Sequence, residues 1–135
     1  MRIHCPHSRA QRISAVVAAL FGLATLFAGG RVLFGLGDAG YIVVPAVLLF
    51  NTVMGFVYLL AAVLIVRWVE MGRVAAGAIA IVNLAVWTLL MVHRASGGTV
   101  ANETVGAMTL RTIVWVGIFA VISRSLRRSV RPSVA

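Results

Sequence analysis

Apolar residues are gathered into four long blocks, 13–36, 41–66, 74–92 and 105–122, with polar residues scattered singly inside them. Each block meets or nearly meets the ~20 residues that a helix needs to cross a bilayer's hydrocarbon core at about 1.5 Å per residue. The segments between them, GDAG (37–40), RWVEMGR (67–73) and HRASGGTVANET (93–104), carry the glycines and charges of turns at water interfaces. The pattern therefore predicts an all-α fold, a bundle of four transmembrane helices in one membrane domain over 1–135. Tails are expected at 1–12 and 123–135, with no room for a soluble domain. The basic lead MRIHCPHSRAQR and the apolar run after it resemble a signal peptide, but the run exceeds a usual signal core, so a retained span is expected.

Composition strengthens this reading. With 61% hydrophobic residues, 11% charged residues and a mean hydropathy of +1.04, the chain has more apolar side chain than a soluble core of this length can bury. The net charge of +9 would favour nucleic acid if the arginines formed a face with interleaved aromatics, but they flank the apolar blocks instead. There they set topology and meet headgroups, so no nucleic-acid partner is expected. All 12 basic residues are arginine, which fits a GC-rich bacterial coding sequence. Nine lie on one side (Arg2, Arg9, Arg12, Arg67, Arg73, Arg124, Arg127, Arg128 and Arg131) and two on the other (Arg31 and Arg94). Arginine-rich short loops stay in the cytoplasm, which predicts a multi-pass protein of the bacterial inner membrane with both termini inside and Asp38, Arg94 and Glu103 outside. The single cysteine, Cys5, permits no internal disulfide.

Helices in lipid approach through small residues and buried polar bonds rather than through hydrophobic drive. The first block offers the ridge Ala18, Gly22, Thr25 and Gly29, and the third offers Ala76, Ala80 and Asn83, continuing to Trp87. Both ridges are expected to pack inside the bundle. Pro45, one turn into the second block, is expected to disturb only its outer end.

Three polar groups stand at similar depth. Asn51, Asn83 and Arg111, from three different blocks, fall roughly 9 to 15 Å from an interface at 1.5 Å per residue. An arginine at mid-span costs about 2.5–3.5 kcal/mol. The nine Leu, Ile, Val and Phe residues of the fourth block return about 0.3–0.6 kcal/mol each, so that helix inserts only marginally alone. Side chains lean toward a helix amino terminus, which aims Arg111 toward Glu103, although that pair would have to bridge about 12 Å of rise. Asp38 is the other acidic candidate, and Trp115 is placed to cover the guanidinium by cation–π contact. Two readings remain open: Arg111 staples the helices through Asn51, Asn83 or an acid, or it faces a cavity and attracts an anion, a headgroup or a quinone carbonyl.

Catalytic and metal motifs fail on inspection. HCPH (4–7) fits no common zinc spacing and lacks a fourth ligand, and His93 has no second intramembrane histidine with which to hold a haem. No nucleophile lies in the blocks beside a base, so catalytic residues, cofactors and metals are not expected.

The stretch GGRVLFGLG ending the first block, together with Asn51 followed four residues later by Gly55, is similar to the DoxX-like group of small four-helix bacterial membrane proteins. That resemblance implies a four-helix membrane fold. The group more often has an acidic residue where this chain has Asn51, so a proton-coupled or quinone-linked role is not carried over. AGGRVLFG and FNTVMGF also look like stretches of fluoride channels, but the threonine- and phenylalanine-rich third-helix break of those proteins has no counterpart here. Small multidrug transporters carry a first-helix glutamate that this chain lacks. The expectation is a non-catalytic accessory or scaffold subunit of a larger membrane complex, or a homo-oligomer, with the lipid bilayer and other membrane helices or itself as partners. The alternative is a small channel or transporter for an anionic or quinone-like ligand with Arg111 at its site.

Overall fold

The computed structural model describes residues 9–37 and 44–130, with side chains as far as Arg128. It contains α1 (Arg9–Leu33), α2 (Pro45–Arg67), α3 (Val69–Ala95) and α4 (Asn102–Val130), and no strand among the described residues. All four helices are long and apolar enough to cross a membrane.

Local chemistry fixes where the helices begin and end. Pro45 is not inside α2 but opens it, where the missing N–H and fixed φ suit the first turn. Gly35 and Gly97 take positive φ just beyond α1 and α3, and the amides that follow bond back to Arg31 and His93, closing each helix with a left-handed cap. Between α2 and α3 only Trp68 leaves helical geometry, at φ −142 and ψ 84. The expected linker 67–73 is thus helical except at one residue. This sharp reversal depends on Gly72, whose added Cβ would stand 2.6 Å from the Ile65 Cα. The expected carboxyl tail is likewise helical from 123 to 130, continuing α4 to 29 residues. At 1.5 Å per residue α4 is ~44 Å long against a ~30 Å hydrocarbon core, so its last turns carry Arg124, Arg127 and Arg128 beyond the apolar section.

The helices run alternately up and down in a ring. Gly29 meets Thr52 and Gly22 meets Gly55 between α1 and α2, while Ile65 meets Gly72 between α2 and α3. Gly77 meets Phe119 between α3 and α4, and α4 closes the ring on α1 beside Ser14 and Ile118. The packed centre holds Tyr58, Ile65, Asn83, Met108, Trp115 and Ile122, all fully buried. Large apolar side chains cover the outside, among them Phe27, Phe56, Ile81 and Ile113. The bundle has a Trp68 end, with the start of α1 and the finish of α4, and a Thr104 end, with the α1–α2 and α3–α4 connections.

Candidate functional site

Near the Thr104 end, α1, α2 and α4 stand apart around a recess of about 90 Å³. Small residues make the space: Ala28 and Gly29 on α1 and Ala107 on α4. Val32, Val44 and Thr104 line it at the ends of their helices, and Asn51 and Arg111 lie deepest along α2 and α4. Arg111 is half-buried and turned into the bundle, with its Nη1 donating to the Met108 Sδ at 3.5 Å. A thioether is a weak acceptor, so that contact is a modest one. Asn51 borders the same space, with its Oδ1 buried and accepting no hydrogen bond.

A second polar cluster lies in the packed centre. Tyr58 donates its hydroxyl to the Asn83 Oδ1 at 3.1 Å, and its ring packs on Trp115 with centroids 4.8 Å apart and on Phe21 at 6.0 Å. Asn83 is fully buried, and its Nδ2, like the Trp115 indole nitrogen, donates to no acceptor. Native interiors leave few such groups.

The three polar residues expected at one depth are therefore divided. Asn51 and Arg111 share the recess, while Asn83 is committed to Tyr58. Trp115 packs on Tyr58 with the two rings tilted by 41°. Glu103 is exposed and forms no ion pair among the described residues, as the long rise to Arg111 requires. Asp38 lies outside the described residues, as does HCPH. Arg31 is exposed and lies over the Phe27 ring at 5.6 Å, beside Gly37. The small-residue ridges are used internally: Ala18, Gly22, Thr25 and Gly29 on α1, and Ala76 and Ala80 on α3, are all buried.

Sequence reasoning missed Tyr58, Thr104 and Met108. Tyr58 had a readable signal, because it follows Asn51 by seven residues and Gly55 by three, on one face of α2. It also missed the Trp87 indole donating to the Thr109 hydroxyl at 2.9 Å, which ties α3 to α4.

Among the described residues, the recess combines a permanent cation, an amide and a threonine. A guanidinium beside an amide suits a negatively charged group. Its volume of about 90 Å³ is well below the ~300 Å³ of pockets that enclose whole small ligands. No protein-family model, curated protein or solved structure matches the chain.

Proposed function

We propose that this is a non-catalytic, multi-pass membrane protein that binds an anionic group in the Arg111–Asn51 recess, as a small channel, transporter or ligand-responsive subunit would. The observation that carries this reading is a cavity that reaches Arg111 from one end of the bundle. A guanidinium serving only as a staple needs no such space beside it. The DoxX-like resemblance rests on its sequence stretches alone and adds no residue to the site. On this reading the Trp68 end faces the cytoplasm of a bacterial inner membrane. Arg9, Arg12, Arg67, Arg73, Arg124, Arg127 and Arg128 are at that end, and the recess opens on the opposite side.

Replacing Arg111 by methionine tests the assignment. Expression and resistance to proteolysis should persist, while stabilisation of the purified protein by anionic ligands disappears. Loss of the folded bundle would instead make Arg111 a structural staple.

A second reading, association with another membrane helix or a second copy, draws on the outer face of α4. Gly106 and Gly117 have open space where a Cβ would stand, and Gly117 borders a shallow apolar groove between α4 and α1. Small residues on an outward face let a neighbouring helix approach closely. Size measurement in mild detergent decides this: a complex is expected, and a lone monomer from native membranes removes the reading.

A further inference from the structure

The recess has a neighbour. On the other side of the α2 amino terminus a groove of about 330 Å³ runs between α2 and α3, and Val44 and Val47 line both spaces. Its remaining walls include Phe50, Val86 and Leu90, and the one polar side chain among its described walls is His93 in the last turn of α3. The groove exists because the α2–α3 pair is wedge-shaped. The helices touch tightly at Gly72 and Ile65 beside the Trp68 turn and have separated by the time they reach the Thr104 end.

We infer that the occupant is an anionic lipid, with its acidic headgroup in the Arg111 recess and one acyl chain in the α2–α3 groove. This rests on the proposed anion-binding role and names the class of ligand. Charge complementarity places the headgroup, since the recess holds a guanidinium and the positive end of the α2 dipole lies at its rim. The volume of about 90 Å³ suits the phosphate of a headgroup rather than a whole small ligand. Continuity places the chain, because the larger space is apolar and separated from the charged one only by the first turn of α2, where Val44 and Val47 stand. A freely soluble anion would use the recess and leave the groove without a role. Both cavities lie at the end of a bundle whose outside is apolar, which is where headgroup and chain regions of a leaflet meet.

The test is thermal unfolding of the delipidated full-length protein in neutral detergent, followed by tryptophan fluorescence. Dioleoyl phosphatidylglycerol, dioleoyl phosphatidylcholine, glycerol phosphate and inorganic phosphate are added separately. The expected result is a rise of several degrees with phosphatidylglycerol and little change with the other three. The difference between phosphatidylglycerol and phosphatidylcholine should vanish in Arg111→Gln and shrink in Val86→Trp, which narrows the groove without touching the recess. A chain-length series on the unaltered protein gives the same information without a variant: the preference for phosphatidylglycerol should grow from short to long chains. Equal stabilisation by inorganic phosphate, or a preference independent of chain length, overturns the lipid assignment and leaves anion binding standing. No response to any anion overturns both.

Discussion

Two amides among the described residues of this bundle have buried oxygens with opposite fates. Tyr58 is held between Phe21 and Trp115 and spends its hydroxyl on Asn83, so an amide that would otherwise be stranded among apolar helices has one satisfied end. Bonds of this kind between membrane helices average about 0.6 kcal/mol and reach about 1.7 kcal/mol. Tyr58→Phe should lose an amount within that range in thermal or denaturant unfolding in detergent, with the helix content of the folded state unchanged. A loss several times larger would contradict a role limited to that one bond. Asn51 stands in the opposite position, since its Oδ1 is buried without a donor beside a space with room for a ligand. Asn51 and Asn83 look alike as letters in apolar runs. They differ only in what the neighbouring helices bring to them.

At the scale of the helix, the pairing of α1 with α2 is a matter of missing side chains. A Cβ on Gly22 would stand 3.0 Å from the Gly55 carbonyl oxygen and from the Leu59 Cδ2, and one on Gly55 would stand 2.7 Å from the Leu26 Cγ. Gly30, one residue beyond the ridge, has nothing within 4 Å of that position. Gly22→Ile should therefore separate the two helices and cost about 1–3 kcal/mol, the usual penalty of overpacking. Gly30→Ala should be neutral or slightly stabilising, because alanine favours the helix by up to about 1 kcal/mol over glycine. Melting temperatures of the two variants measured side by side check this, and similar values for both would contradict the close packing of α1 on α2. The ridge was legible in the sequence because small residues at three- and four-residue steps have few other uses in an apolar helix. The hairpin between α2 and α3 was not legible. Charged residues at 67, 70 and 73 read as a loop, yet helices at a water interface can carry charge on their outer turns, and Arg73 bonds Glu70 one turn away within α3.

For the molecule as a whole, the up-and-down ring places described arginines unequally, seven at the Trp68 end against Arg31 and Arg94 at the Thr104 end. The orientation derived from that imbalance has a direct check. A membrane-impermeant maleimide applied to intact cells should label Thr99→Cys in a Cys5→Ser background and should reach the native Cys5 only after lysis. The reverse pattern would invert the topology and turn the recess toward the cytoplasm. Arg111 belongs to this scale too, since its surroundings are assembled from three helices and no one of them provides the recess alone.

The number of helices, their apolar character and the ridges on α1 and α3 followed from the sequence by itself, because span length and the need for small residues at close contacts are properties of a single helix. Which polar groups meet was decided only by the tertiary structure. Rotation of each helix about its axis sends Asn83 and Trp115 to Tyr58 and Asn51 to the recess, and rotation depends on how all four surfaces pack together. The same is true of the two cavities, which arise where helices diverge, a relation between helices that no single stretch of the chain contains.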